Sequence, residues 1–363
     1  MFWNASGGVR RYICAKRQWA LSHTQWRHTI ASPIEDELCQ LKVPSLPLPG
    51  SAGAYRVPWQ RAASARLLME ARPDIIESGD PYGLAWAALD AAQSLGVPAV
   101  AFCHSNLEQL AIMAAGPHWQ GLAGRAARRY TLHLYRQFQL VLAPSRGMAS
   151  HLRQWGIANA THQPLGVDSE VFHPRHRSAQ WRASLRLPTN ARLLIYTGRF
   201  APEKNLDTLV SAVRRLGPDY WLLAVGSGMA APSGDRVIVW PQISEPADLA
   251  RVLASADLYV HAGAQETFGL AVLEALASGL PVVARGAEGL AELVDDSVGQ
   301  AVALASVDHF AEAIASVFDR DMAALGKAAR TRALAYEWKQ VLPQLWRHYR
   351  QVMKGSPVLD PQS

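Results

Sequence analysis

"QETFGLAVLEALASGLPVVA", Gln265 to Ala284, decides how the rest of this chain is read. Its middle is apolar at helical spacing and its end, "LPVVA", is β-branched. A second strand-like run, "DLYVHA", stands just before it. Strand, helix, strand in quick succession is the unit of a parallel sheet covered by helices. The same stretch carries two carboxylates, Glu266 and Glu274, eight positions apart. At 3.6 residues per turn, one helix holding both would lean them toward a similar side.

The alternation continues in both directions. "HTIAS", "PDIIES", "VPAVAFCH" and "QLVLAPS" read as strands of a first half, with "GLAWAALDAAQSLG" an intervening helix. "ARLLIYTG", "WLLAVG" and "VIVWP" join "DLYVHA" and "LPVVA" as strands of a second half, separated by "NLDTLVSAVRRLG" and "PADLARVLASA". The fold class is α/β, with two doubly wound units in series. Between them "PLGVDSEVFHPRHRSAQWRASLRLPTNAR" is charged, bracketed by prolines and without a clear hydrophobic period, so the connection is expected near residues 165–185. The expected division is 1–168, 169–335, a helix over 336–353 and a tail over 354–363. The helix "AYEWKQVLPQLWRHYRQVMKG" aligns Trp338, Leu342, Leu345, Trp346 and Tyr349 on one side and must pack against something. Capping of the second domain and a crossing back to the first are both open.

The chain has 363 residues, enough for about two domains with cores of their own. Its three cysteines, Cys14, Cys39 and Cys103, form no CxxC pair, which points away from a disulfide framework or a thiolate zinc site and toward a reducing cytosol. No run approaches the ~20 apolar residues of a spanning helix, and no basic-then-apolar leader opens the sequence. A net charge of +6 favours anionic partners such as nucleotides, phosphorylated sugars or lipid.

Ligands of parallel α/β sheets sit beyond the carboxyl ends of the strands, where helix N-termini offer free N–H groups. After "ARLLIYTG" come Arg199 and, five residues on, Lys204. The pair is either a pyrophosphate clamp that meets charge growing on a leaving group or a solvated loop. After "DLYVHAGA" comes Glu266 at the loop, then Thr267, Phe268, Gly269 and Leu270 entering a helix, with Gly269 leaving room for a ligand to reach backbone N–H groups. Glu266 is either an acceptor for sugar hydroxyls or a helper at a helix start, and Glu274 either a ribose acceptor or a structural ion-pair member.

"GRFAPEKN", the E-x7-E of Glu266 and Glu274, and "SGLPVVA" together resemble the donor site of family 4 glycosyltransferases. The resemblance extends through "ASGGVRRYI", "AFCHS", "LAPSRGMASHL" and "PLGVDSEVFHP". It implies the GT-B fold, two Rossmann-like domains facing a central cleft, and a retaining, metal-independent transfer of a hexose from a nucleotide-diphosphate sugar to a lipid-linked or polysaccharide acceptor. The likeness of "PLGVDSEVFHP" to mannosyltransferases tilts the donor toward GDP-mannose. By the same resemblance, Arg199 and Lys204 hold the diphosphate, Glu274 the ribose and Glu266 hydroxyls of the transferred sugar. The backbone of Phe268, Gly269 and Leu270 completes the phosphate cradle. His104 contacts the transferred sugar, Gly7 and Gly8 form a flexible loop facing the donor phosphate, and Gly226 opens a shortened loop near the base. No cofactor and no metal is expected. The one D-x-D, Asp319–Arg320–Asp321, is expected inside a helix, where its carboxylates diverge.

Two departures from the family pattern stand out. An apolar strand is usual before the Gly-Gly loop, and with Gly7 so near the start of this sequence that central strand is expected to be missing, which puts activity of the chain in question. "GSGMAAPSGDRVIVW" mimics a dinucleotide fingerprint, but Pro232 and Gly234 leave no helix to receive a pyrophosphate. A nucleotide-sugar epimerase of the same architecture and an inactive transferase-like protein are the competing readings.

"QGLAGRAARRYTLHLYRQF" places Arg125, Arg129 and Arg136 on one side of a helix with Arg128 beside them, and Leu122, Ala126 and Tyr130 elsewhere. Such a helix is either a solvated basic face or a contact with anionic lipid. The expected partners are a nucleotide sugar, an acceptor and an anionic membrane surface, with no nucleic acid. The expected location is cytoplasmic, at the inner face of the membrane.

Overall fold

The computed structural model describes residues 8–34, 37–47 and 56–355. The chain divides into two compact units, one holding the residues up to Pro164 together with those from Val341 onward, the other holding Leu165–Gln340.

The first unit opens with helix α1 (Gly8–His23), two short strands β1 (Ala31–Ser32) and β2 (Leu41–Lys42), and an antiparallel pair β3 (Ser45–Pro47) and β4 (Arg56–Pro58). Helix α2 (Arg61–Glu70), strand β5 (Ile76–Ser78), helix α3 (Gly83–Leu95), strand β6 (Ala99–Phe102) and helices α4 (Leu107–Ala114) and α5 (Gln120–Tyr135) follow. Strand β7 (Leu140–Ala143), helix α6 (Arg146–Gln154) and strand β8 (Ala160–His162) complete it. The main sheet is parallel, in the order β5-β6-β7-β8. Strands β6 and β7 are buried along their whole length, which is why "AVAF" and "LVLA" read as unbroken apolar runs. Alanines 85, 87, 88, 91 and 92 are the buried face of α3, and Gly96 closes that helix at φ 67°, its N–H donating to Ala92 and Gln93.

"HTIAS" supplies only the two strand residues Ala31 and Ser32, and β1 pairs with β2 rather than with the main sheet. Between β1 and the free edge of β5 lies a cavity of about 650 Å³, lined by Ile30 and Ala31 on one side and Ile76 and Glu77 on the other. Its wall carries a buried polar cluster: Lys16 Nζ lies 2.6 Å from Glu77 Oε1, Tyr12 donates to the same carboxylate at 3.2 Å, and Tyr349 donates to it as well.

The second unit runs helix α7 (Ala179–Ser184), strand β9 (Arg192–Thr197), helix α8 (Leu206–Leu216), strands β10 (Tyr220–Val225) and β11 (Val237–Trp240), helix α9 (Pro246–Ser255) and strand β12 (Leu258–His261). Helix α10 (Leu270–Ala277), strand β13 (Val282–Arg285), helix α11 (Leu290–Leu293), strand β14 (Gly299–Val302) and helices α12 (Val307–Phe318) and α13 (Met322–Leu334) follow. Its six strands are parallel in the order β11-β10-β9-β12-β13-β14. Counted along the chain this is 3-2-1-4-5-6, the doubly wound order, with its reversal between β9 and β12.

Helix α14 (Trp338–Met353) begins in the second unit and passes into the first, the division falling after Gln340 and just before Pro343 inside the helix. Val341, Leu342, Leu345, Trp346, His348, Tyr349 and Val352 are its buried face. At its start Trp338 packs against Gly166, where a Cβ would stand 2.6 Å from the ring.

Candidate functional site

At the point where strand order reverses, the exits of β9 and β12 are neighbours, the position beyond the carboxyl ends where doubly wound sheets take their ligands. The β9 exit passes through Gly198, Arg199 and Phe200 into a tight turn over Pro202–Lys204, and Asn205 takes φ 50° before α8 begins. Phe200 is buried and locks the loop, its N–H donating to the Ser227 carbonyl at 2.8 Å. The β10 exit lies hard against it: a Cβ on Gly226 would come within 1.8 Å of the Gly198 carbonyl oxygen, and one on Gly228 within 2.2 Å of that of Phe200. Asn205 Nδ2 donates across to the Ala262 carbonyl at 3.3 Å, tying the β9 exit to that of β12.

Lys204 is 9% exposed and its ammonium is ion-paired with Glu266. His261, at the end of β12, reaches the same Glu266 oxygen at 3.2 Å. The Gly289 N–H holds the Glu266 carbonyl at 2.9 Å, so the β13 exit fixes this loop from the other side. Burial by itself would raise the Glu266 carboxyl; the charge of Lys204, the bond and charge of His261 and the bond from Lys204 outweigh it and hold Glu266 well below the usual carboxylate range. Tyr196 lies beside this cluster, its ring 5.8 Å from that of His261 and its hydroxyl donating to the Arg199 carbonyl at 2.9 Å. Burial, with the negative charge of Glu266 nearby, keeps that hydroxyl protonated.

Arg199 is on the same loop but points outward: its side chain is 55% exposed and donates to Glu203 at 3.0 Å. Glu266 and Glu274 do not share a helix, because α10 starts at Leu270. Gly269 at φ 91° serves as its N-cap, and no side chain caps the first turn. The left-handed turn and the tight fit of Gly269 against Leu290 end the chain's extended run there, which leaves Glu266 on the loop. Phe268 is buried, and Glu274 lies within α10 at 2% exposure. The first-turn N–H groups of Leu270 and its successors, lacking a side-chain cap, are donors available to an anion.

His104 belongs to the first unit. It follows β6, stacks on Phe102 with centroids 4.2 Å apart and faces Tyr12 at 5.4 Å. Burial pushes its imidazole down to about 3, so it is neutral near pH 7. Gly8 opens α1, and Gly7 lies outside the described residues. Asp319–Arg320–Asp321 is not inside a helix: it bridges α12 and α13, and Asp321 caps α13 by accepting from the Ala323 and Ala324 N–H groups. Among the described residues no group of three or more His, Cys, Asp or Glu side chains is placed to hold a metal ion.

Residues 177–333 match the family of glycosyl transferases group 1, and residues 7–171 match Glycosyltransferase Family 4. Over 287 residues the chain is 33% identical to a GDP-mannose-dependent alpha-mannosyltransferase of Mycolicibacterium smegmatis, covering 77% of this chain and 74% of that protein. The chain is a family 4 glycosyltransferase.

This glycosyltransferase is also 28% identical over 358 residues to a GDP-mannose-dependent alpha-(1-6)-phosphatidylinositol dimannoside mannosyltransferase of Mycobacterium tuberculosis, covering 92% of this chain and 90% of that protein. A sucrose-phosphate synthase from Thermosynechococcus elongatus superimposes with a TM-score of 0.75 at 22% identity, over 97% of this chain and 95% of that one, and shares the GT-B fold. The activity class is hexosyl transfer rather than epimerisation. His261, Tyr196 and Gly289 escaped the sequence reading. A histidine ending a strand beside a glycine, "VHAG", was the available signal for the first of them.

Proposed function

We propose that this glycosyltransferase transfers mannose, with retention of configuration, from GDP-mannose to a lipid-linked acceptor. Both mannosyltransferase relatives named above carry GDP-mannose in their names, and one acts on a phosphatidylinositol dimannoside, which supports this choice of donor and acceptor class. The observation that carries the reading is the ion-paired Lys204 and Glu266, braced by His261, at the carboxyl ends of β9 and β12.

In this reading the Lys204 ammonium shifts onto the leaving diphosphate as the bond to the anomeric carbon breaks, and Glu266, released from it, accepts hydroxyls of the transferred mannose. Arg199, exposed on the same loop, swings onto the second phosphate, and the N–H groups of Phe268, Gly269 and Leu270 cradle it. Glu274 takes the ribose, which must seat over the first turn of α10 because that carboxylate is buried. Gly226 lets the base approach the β10 exit, and the family pattern assigns Gly8 to the phosphates and neutral His104 to the mannose. Protein cations, rather than a metal ion, counter the diphosphate.

No helix among the described residues is long and apolar enough to cross a membrane. We place the enzyme at the inner, anionic face of the cytoplasmic membrane, contacted through the helix of Arg125–Arg136. Turnover of a panel of GDP- and UDP-sugars with a lipid extract as acceptor tests the donor: GDP-mannose should be consumed at least about 100-fold faster than UDP-glucose, a floor well below what unpaired polar groups in a site can impose. Preference for a UDP-sugar would refute it.

A further inference from the structure

The amino ends of the second unit's strands frame a cavity of about 780 Å³, at the opposite edge of the sheet from Lys204 and Glu266. Arg192 opens β9, Asp257 immediately precedes β12, Pro281 immediately precedes β13, and all three line it. At about 3.3 Å per residue, the six residues of β9 put about 20 Å between the two edges. The wall is strongly cationic: Arg177, Arg182, Arg192, Lys327 and Arg330 stand against one carboxylate, Asp257. That carboxylate is already shared by Arg177 at 3.3 Å and Arg182 at 2.7 Å. Among the described residues Arg192, Lys327 and Arg330 form no ion pair. Arg330 Nη1 donates to the carbonyls of Phe172 at 2.6 Å and Ala277 at 2.7 Å, and Nη2 to that of Ser169 at 2.9 Å, all neutral partners.

A second observation is independent of the charge. Ser278 closes α10, is 3% exposed and lines the same cavity, and its Oγ has no hydrogen-bond partner. A buried hydroxyl is costly to leave unpaired, so this one points to a partner that the chain does not itself supply. Two cations approach it from α13. Arg330 holds the carbonyl of Ala277 just before it. Gly326 packs on Gly279 just after it, where a Cβ would come within 2.6 Å of the Gly279 carbonyl oxygen, and brings its neighbour Lys327 to the same wall.

We infer that this cavity is a second anion site of the chain and takes a sugar phosphate, whose phosphate accepts from Ser278 Oγ, Lys327 and the uncommitted N–H groups of Arg330. Three cations without a counter-charge and one hydroxyl donor suit a dianion with three terminal oxygens better than a carboxylate. The volume is that of a small-molecule site and far exceeds what inorganic phosphate fills. A nucleotide fits less well, because Phe318, the aromatic ring on the wall, already has Arg192 over it at 4.8 Å and Tyr220 against it at 5.7 Å, leaving little for a base to stack on. Asn190 and Thr331, whose side-chain oxygens can still accept, offer partners to sugar hydroxyls instead. The cavity shares no residue with the proposed donor site, so the inference stands apart from that reading.

The test is calorimetric titration of the full chain with glucose 6-phosphate, glucose, inorganic phosphate and GMP as probes. Glucose 6-phosphate should bind saturably at one site, at least about tenfold tighter than inorganic phosphate or GMP, and glucose should not bind. Ser278→Ala should weaken glucose 6-phosphate about tenfold, the size of one hydrogen bond to a charged group, and Lys327→Gln about fivefold, because that lysine is exposed. Without ligand, the Tm of Ser278→Ala should equal or exceed that of the parent, since the hydroxyl removed is unpaired; this separates lost binding from lost folding. Lys204→Met, at the far edge of the sheet, should leave the affinity within about threefold of the parent. No saturable binding of glucose 6-phosphate up to about 10 mM would overturn the site. So would unchanged affinity in Ser278→Ala or in Lys327→Gln, a lower Tm for unliganded Ser278→Ala, tighter binding of GMP, or loss of binding in Lys204→Met, which would put the phosphate on the donor side.

Discussion

Replacing Lys204 by methionine tests the switch-point cluster directly, because methionine keeps the length and apolar stem of the side chain and deletes its charge. Lys204 and Glu266 side chains are 11% and 23% exposed, so the pair is mostly but not wholly desolvated. Breaking a fully buried pair costs about 3–5 kcal/mol. Here residual exposure and the remaining His261 contact at 3.2 Å lower the expected loss to about 2 kcal/mol. At 2–4 °C per kcal/mol for a domain of this size, calorimetry should show the second unit melting about 4–8 °C lower. Loss of a charge aimed at a leaving group costs on the order of 100- to 1000-fold in kcat, so transfer should fall much further than stability does. The double variant Lys204→Met/Glu266→Gln should be less destabilised than the sum of the singles, because neither leaves a charge stranded. Additivity within about 0.5 kcal/mol would mean the two side chains do not communicate, and kcat within threefold of the parent in Lys204→Met would remove lysine from the reaction.

Gly226→Ala sets a Cβ 1.8 Å from the Gly198 carbonyl oxygen, so the β9 exit must move; a loss of about 1–3 kcal/mol and a raised donor KM are expected, and a thermal scan with nucleotide titration checks both. Glu266 is ionised in the folded chain where the unfolded chain, with the ordinary value near 4.5, takes up a proton. Its contribution is therefore full above pH 4.5 and lost as pH falls toward the depressed folded value, so the Tm gap between the parent and Glu266→Gln should shrink from pH 6 to pH 3. His104, held down to about 3 by burial, should leave no inflection near 6.5 in the pH–rate profile. An inflection there that vanished in His104→Phe would contradict its neutrality. Lys16→Met leaves the buried Glu77 carboxylate with the Tyr12 and Tyr349 hydroxyls alone and should cost the first unit about 2–3 kcal/mol, visible as an earlier melting transition with the second unit unmoved.

The second unit was legible because its strands are buried on both faces and therefore read as continuous apolar runs; β9, β10, β12 and β13 fall within the quoted segments. Strand β14, "GQAV", escaped because a glycine, a glutamine and only two apolar residues carry no period. Strand β8, "ATH", is three residues long with polar atoms in two. The site was legible as a set of residue types after strands, whereas its partnerships were not. The eight-residue spacing would suit one helix holding Glu266 and Glu274, while the position of Glu266 just after a strand puts it on the loop; the left-handed Gly269, packed on Leu290 from a different strand exit, shows why the helix starts only four residues after Glu266. Likewise Asp321 looked interior to a helix because nothing in "FDRDM" announces a break; its capping bonds to Ala323 and Ala324 do.

The loops bearing Lys204 and Glu266 hang from the two innermost strands of a six-stranded sheet, each flanked by at least two more. Amide protons of Ile195 and Val260 should thus be among the slowest in their unit to exchange with deuterated solvent, and the recognition surface should be the last part of it to lose order. A donor bound on these loops, as proposed, meets a backbone already at rest, and the entropy of arranging them does not count against its affinity.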